Sequence, residues 1–259
     1  MVTLLKLGGS LITDKTQEAT LRPQVLNRLA QEINQAYQAI DLPLLIGHGS
    51  GSFGHFEAKR HDTIKGVKTL EQWAGFASVG RIAAELNFHV ATALGLAGLP
   101  VLRIQPSASA ITSNGIIQDM ALQPILRALA HQIIPLVYGD VAFDDVLGGT
   151  ITSTETVFQY LVAQLPVKRI LLVGEVDGVL DENGHLIEQI TPQNFDGIRS
   201  ALGGSSGVDV TGGMLTKVQD MLALANQAPY PDVYIINGMV ENRVYQALVG
   251  DSVGTHISR

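Results

Sequence analysis

Short apolar runs alternate along this chain with stretches whose apolar positions recur every three or four residues. The runs at Val2–Leu7, 42–46, 100–104, 133–138, 169–173 and 232–236 have the length and aliphatic density of buried strands. Helical periodicity marks 22–40, where Pro23 sits in the first turn and Val25, Leu29 and Ile33 share one side. It also marks Leu70–Leu96, with Gly75 and Gly80 as its weak points, and then 122–131, 154–165, 211–227 and 241–248. Asn114-Gly115 between apolar flanks predicts a hairpin, Gly148-Gly149 a turn and Asp181-Glu182-Asn183-Gly184 a smaller hairpin turn. Strands alternating with helices predict an α/β fold with a largely parallel sheet. The loop at 203–207 is the nearest thing to a boundary, but about 50 residues beyond it make a meagre separate core. The expectation is one domain over 1–259, with an N-terminal lobe to about 165 and a C-terminal lobe over 166–259.

Three glycine-rich turns change this from a fold to a candidate site. Lys6-Leu7-Gly8-Gly9-Ser10 follows the first strand, and Gly47-His48-Gly49-Ser50-Gly51-Ser52-Phe53-Gly54-His55 follows the second. Thr211-Gly212-Gly213-Met214-Leu215-Thr216-Lys217 opens a late helix. Glycine lets backbone N–H groups approach an anion, and a helix N-terminus adds its dipole. With Lys6, Lys15 and Lys217 as point charges, the set points to a site that holds a polyphosphate and moves part of it.

Each element has a plainer alternative. The GxGxxG pattern over 49–54 lacks the compact strand–helix–strand unit of a dinucleotide site, because polar sequence over 59–68 intervenes. It reads as an anion turn, or as a tight turn that binds nothing. Lys6 is either compensated by an anion or snorkels to the sheet edge, and Lys15 alone is an ordinary surface lysine. Asp140 and Asp177 end strands, where ligands gather or where aspartates merely stabilise turns. Glu155 begins a helix and complements its dipole.

Composition sets bounds. The chain has 259 residues, 46% of them apolar, so it has material for a substantial core. Its net charge of −7 argues against a nucleic-acid partner, while 17 basic residues leave enough for a local cationic pocket. There is no cysteine, which excludes disulfide and thiolate chemistry. No run approaches the length of a membrane span, and no leader pattern is seen at the start, so a cytoplasmic protein without membrane contact is expected. The P-loop and protein-kinase signatures are missing.

Taken together, these segments resemble the amino acid kinase superfamily, and within it the isopentenyl phosphate kinases. The similarity runs along essentially the whole chain. It is carried by the first turn, by Ile12-Thr13-Asp14-Lys15, by 49–55 with Ala58, by 79–87, by Tyr138-Gly139-Asp140-Val141, by Val176-Asp177-Gly178-Val179 and by 209–214 with Lys217. The Ser-Phe-Gly-His run is the sharper marker, and it points to a phosphate or phosphonate acceptor.

The resemblance implies a three-layer αβα sandwich with a mainly parallel open central sheet. It implies ATP-dependent phosphorylation of isopentenyl phosphate to isopentenyl diphosphate with Mg²⁺, and a homodimer. The acceptor would sit in the N-terminal lobe and ATP in the C-terminal one. Lys6 and Lys217 would grip the ATP phosphates, and Lys15 would neutralise the phosphoryl group in flight. Gly8, Gly9, Ser10 and Gly51 would offer N–H groups, Gly213 would let the second lobe approach the nucleotide, and Asp177 would help place it. His55, with the Ser50 backbone, would bind the acceptor phosphate, and Phe76, Val79, Ile82 and Ala83 would offer its tail an apolar slot. Such a stripe is also what a core helix shows. Two departures stand out: Ser50 within an otherwise all-glycine turn, and Ser153-Thr154-Glu155 where Ser-Gly-Asp is expected. That places Thr154 near the acceptor phosphate and gives Glu155 the task of orienting the two lysines, with about 1.5 Å of extra reach. Alternatives are a kinase for another small phosphate or a phosphonate such as fosfomycin, a nucleotide-binding sensor without turnover and, on the glycine pattern alone, a nicotinamide-dependent oxidoreductase.

Overall fold

Strand β1 (Val2–Leu7) is buried along nearly its whole length and lies in the middle of the structure. The computed structural model of the chain describes residues 1–202 and 213–259. After β1 come α1 (Gly9–Ile12), α2 (Pro23–Ala39), β2 (Leu44–His48), α3 (Gly51–His61), α4 (Leu70–Leu96) and β3 (Val101–Arg103). The hairpin β4 (Ile111–Ser113) and β5 (Ile116–Asp119) follows, then α5 (Gln123–Ala130), β6 (Ile134–Tyr138), β7 (Asp140–Asp144), β8 (Gly148–Thr152) and α6 (Thr154–Gln164). The second half holds β9 (Val167–Gly174), β10 (Gln189–Ile190), α7 (Pro192–Leu202), α8 (Gly213–Ala225), β11 (Asp232–Asn237), α9 (Arg243–Val249) and β12 (Thr255–Ile257).

Among the described residues, eight strands form one sheet in the order β10-β12-β11-β9-β1-β2-β6-β3. Every pairing in it is parallel except β11 with β12. Strand alternation decides the layers. Leu5 and Leu7 of β1 pack with α1, α2, α4 and α9 through Leu11, Leu29, Leu86 and Val244. Val2 and Leu4 face the opposite layer, where α5, α6 and α8 contribute Ile125, Phe158 and Val218. The αβα sandwich expected from the sequence is therefore present. Lys6 shares the parity of Val2 and Leu4, so it projects toward α6 and α8.

A second sheet, β5-β4-β7-β8, stands beside the N-terminal half of α4. The sequence pattern gave the Asn114-Gly115 hairpin but not β7, whose buried residues continue directly from β6 after Gly139. Helix α4 runs unbroken from Leu70 to Leu96, past both glycines, behind a capping box formed by Thr69 and Gln72. Gly75 instead makes room for the His61 ring, and Gly80 for Val141. Helix α7 and the short strands β10 and β12 were also unread. The loop over 203–207 and the Thr211-Gly212 turn lie outside the described residues.

Asp144 holds the second sheet together. Its buried carboxylate accepts from the backbone N–H groups of Asn114, Gly115, Val146 and Leu147 and from the Thr112 hydroxyl at 2.8–3.0 Å. Burial pushes its pKa up, but these donors outweigh that and hold it well below the usual carboxylate range. A group lowered in this way contributes stability above about pH 4, the ordinary aspartate value, and loses it as the pH falls toward the folded-state pKa. Asp144→Ala should cost about 3 kcal/mol by denaturant unfolding at pH 7. The gap to the wild type should shrink as the pH drops below about 4, and a pH-independent gap would exclude this account.

Candidate functional site

The turns after β1 and β2 are locked together backbone to backbone. A Cβ on Gly9 would fall 2.6 Å from Gly51 Cα, and one on Gly49 would fall 2.8 Å from Gly9 N. Gly51 has φ of +49°, and a Cβ there would also meet Gly9 O at 2.7 Å. No residue with a side chain fits this crossing. Thr13 ties it further, since its hydroxyl donates to Gly9 O at 2.7 Å and accepts from Ser52 N at 2.9 Å. Gly49 N donates to Leu7 O, and Gly8 N donates to Val173 O at the end of β9. Three neighbouring strand ends thus converge on one small patch.

The Ser-Phe-Gly-His run is explained position by position. Ser50 precedes α3, and Gly54 leaves room for it, because a Cβ at Gly54 would lie 2.8 Å from Ser50 Oγ. Phe53 is buried against the α2–α4 layer and anchors the helix. His55 emerges exposed two residues later, and its Nδ1 lies 2.8 Å from Gly51 O. With both ring nitrogens protonated, Nδ1–H donates to that carbonyl and Nε2–H faces outward as a free donor.

On the other layer, Lys6 donates to the Glu155 carboxylate in the first turn of α6. Ser153, and not Glu155, caps this helix by accepting from Thr156 N at 3.0 Å. Glu155 also feels the charge of Lys217 on α8. Burial pushes the Glu155 pKa up, and the charge and hydrogen bond of Lys6, with the charge of Lys217, bring it below the ordinary value. Lys217 is lowered by burial first and then by the Lys6 charge, with Glu155 pulling it back up. Two lysines facing one carboxylate leave a positive charge that calls for an anion.

Lys15 lies on a separate element, and its charge also lowers the Lys217 pKa. It sits in a loop whose stem is closed by pairing of Thr13 with Leu21. Its Nζ is 4.0 Å from Glu175, which follows β9 and also accepts from Arg22. Sequence reasoning missed Glu175 and Arg22. Glu175 falls directly between the β9 end and Asp177, a position that could have drawn attention.

The remaining expected residues divide. Ser10 is half-buried beside the first turn, and Asp177 is exposed after β9, accepting from Asn237 at 2.9 Å. Gly213 is the first residue of α8. Thr154 is buried, and its hydroxyl donates to His48 O at 2.6 Å, so it braces the Gly49–Gly51 turn from behind instead of offering that hydroxyl to a ligand. Phe76 and Val79 join Val67, Val141, Trp73 and Ile151 in one cluster. Phe143, half exposed, adds its ring 5.3 Å from Phe76. Ile82 packs instead on the α2–α4 core, and Ala83 is fully buried. Of the four, Phe76 and Val79 share that cluster, while α4 turns Ile82 away from it. Asp140 is a structural aspartate, buried and accepting from Ser107 N and Val141 N, with its pKa raised by burial.

An open α/β sandwich whose strand ends gather glycine amides and paired lysines defines a phosphate-handling protein. Residues 1–237 match the amino acid kinase family. The chain is 33% identical to the isopentenyl phosphate kinase of Methanocaldococcus jannaschii over 99% of its own length and 98% of that protein's. It is 34% identical to that of Methanothermobacter thermautotrophicus, covering 98% of each chain. A crystal structure of an isopentenyl phosphate kinase superposes over 100% of both chains with a TM-score of 0.84 and 30% identity. The chain belongs to the amino acid kinase family, in its isopentenyl phosphate kinase branch.

The lysine pair makes a pH-dependent prediction. Among the described residues Glu155 is the charge that supports protonation of Lys217, so Glu155→Gln should lower the Lys217 pKa further. Affinity for a triphosphate, measured by calorimetry, should then decline at a lower pH in the variant than in the wild type. Superimposable pH profiles would remove Glu155 from this role.

Proposed function

We propose that this chain transfers the γ-phosphoryl group of ATP to isopentenyl phosphate, giving isopentenyl diphosphate and ADP. The observation that carries the reading is the backbone crossing of the Gly8–Gly9 and Gly49–Gly51 turns, which sets two amide-lined anion seats side by side. An oxygen of the acceptor monoester attacks the γ-phosphorus while the bond to the β–γ bridging oxygen breaks, and ADP leaves. The attacking oxygen is already ionised near neutrality, so the reaction needs positioning and charge neutralisation more than a base.

In this reading Lys6 and Lys217, oriented by Glu155, hold the ATP phosphates, with the amides of Gly9, Ser10 and Gly51; the expected Gly8 amide is committed to Val173 O, so Gly8 shapes the turn instead of donating to phosphate. Lys15 leaves Glu175 to meet the moving phosphoryl group. Asp177 and the Gly213 end of α8 belong to the nucleotide side, the lobe over 166–259. His55 Nε2 and the Ser50 N–H receive the acceptor phosphate on the lobe to about 165, and the Phe76–Val79 cluster receives its tail. Among the described residues no three His, Cys, Asp or Glu side chains come together as a metal cage. Mg²⁺, bound with ATP, would screen the charge of its phosphates. A homodimer, which the resemblance implies, and a cytoplasmic location belong to the same reading. Among the described residues no helix is long and apolar enough to cross a membrane.

A coupled assay of acceptor-dependent ADP release tests the proposal. Isopentenyl phosphate should be used in preference to fosfomycin, and the reverse preference would overturn it. Lys15→Ala should lower kcat by roughly 10²–10³ while ATP binding changes little, the effect of removing one well-placed charge from a transition state. An unchanged kcat would take Lys15 out of the mechanism. His55→Ala should raise the acceptor KM; loss of ATP affinity instead would mean that the two lobes are assigned the wrong way round.

A further inference from the structure

A line of polar side chains runs from the sheet edge to the back of the Gly49–Gly51 turn, and nothing above gives it a task. His48 ends β2 and is 1% exposed. Its ring lies parallel to that of Tyr138, with centroids 5.6 Å apart and 5° between the planes. Its Nε2 is 3.0 Å from Asn87 Nδ2, and its Nδ1 is 3.0 Å from Gly49 O. Asn87 is 0% exposed, and its Oδ1 accepts from Arg103 Nε at 2.8 Å.

Elementary donor counting orients the whole line. A guanidinium only donates, so the Asn87 oxygen must face Arg103 and its NH₂ must face His48. An NH₂ only donates, so Nε2 of His48 is the bare nitrogen. The single proton of a neutral imidazole then sits on Nδ1 and is donated to the Gly49 carbonyl. Burial, assisted by the Lys6 charge, lowers the pKa of His48 to about 4, although the Gly49 hydrogen bond pulls the other way. The ring is accordingly neutral near pH 7.

The Gly49 carbonyl and the Ser50 N–H belong to one planar trans peptide and point in opposite directions. Whatever pins the carbonyl aims the amide. Among the described residues the Ser50 N–H has no acceptor. The preceding backbone is fixed as well, since the His48 carbonyl accepts from Gly139 N and the Thr154 hydroxyl.

We propose that His48 is a positioning residue for phosphate recognition: with its tautomer set by Arg103 through Asn87, its Nδ1–H holds the Gly49 carbonyl back and so aims the Ser50 N–H at the acceptor phosphate. The inference rests on the assignment of this turn to the acceptor.

Long-range ¹H–¹⁵N spectra of the wild-type protein should show His48 protonated at Nδ1 and bare at Nε2; the opposite tautomer overturns the proposal. Two substitutions at His48 then separate donation from filling. Asparagine leaves a void but can keep a donor at the Nδ1 position, whereas leucine fills the space without a donor. His48→Asn should keep the acceptor KM within about threefold of wild type, and His48→Leu should raise it about tenfold, with the ATP KM unmoved in both. Equal effects, or the reverse order, would make the residue mere packing. Asn87→Asp replaces the only donor to Nε2 by an acceptor. It should move the proton to Nε2 and raise the acceptor KM as leucine does, while an unchanged KM with the proton moved sinks the idea. The dissociation constant of inorganic phosphate should rank the variants in the same order without turnover. Absence of turnover with isopentenyl phosphate would defeat the proposed reaction, and the tautomer and the phosphate ranking would still decide the role of His48.

Discussion

The contact on which this site depends is between two pieces of backbone. Gly9 and Gly51 cross so closely that a methyl group on either would overlap the other chain. The reason lies in the strands. β1 and β2 are adjacent and parallel, with Leu7 opposite His48, so both chains leave the sheet at the same height and on the same end. Two chains turning there at once must pass within van der Waals distance. Glycine is what allows them to pass while their N–H groups stay available to a ligand. The Thr13 hydroxyl, bonded to both turns, converts a close approach into a fixed one.

Charge is arranged around that crossing at some cost to stability. Lys6 lies on a core strand with its side chain largely buried, and Lys217 is brought near it on α8. Such a pair repels itself and gives up solvation. Glu155 offsets part of this but cannot neutralise both lysines. A fully compensated site would gain little from binding phosphate, and an uncompensated one would favour deprotonated lysine. One carboxylate between two lysines lies between these limits. Lys15 is handled differently, on an exposed loop with Glu175 within reach. The tip of the same loop is tied to α3 through Glu18 and Arg60 at 2.9 Å. The loop is therefore attached to the strand end after β9 on one side and to the His55 helix on the other.

Much of this was legible because it depends on residue type and short spacing. Apolar runs locate β1, β2, β3, β6, β9 and β11, and the glycine turns with their lysines mark the strand ends that matter. What escaped notice depends on contacts distant in sequence. β7 was invisible because it follows β6 after a single glycine and reads as part of the next loop. α7 sets Phe195 and Ile198 on the core within an otherwise largely polar segment, and β10 and β12 have two and three residues. Thr154 looked like a ligand-side residue until its hydroxyl was found on the His48 carbonyl, 106 positions away. Ile82 lies apart from Phe76 and Val79 because a 27-residue helix touches two different cores in succession, and periodicity cannot say where one gives way to the other. Glu175 and His48 carry no motif of their own that spacing arguments weigh.

The strand order explains why the crossing sits where it does. From β1 the chain goes through α1 and α2, on one face, to β2 on one side. From β9, which lies against the other side of β1, it goes through α8 on the opposite face to β11. Helices leaving in opposite directions from neighbouring strands open a crevice at their carboxyl ends, the place where parallel sheets bind ligands. β1 stands at that reversal. A residue at its end is the neighbour of both halves at once, and the proposed reaction uses this by setting Lys6 and the Gly8–Gly9 turn between a donor on one side and an acceptor on the other. A sheet with β1 at an edge could carry the same motifs and bring only one of the two anions to them.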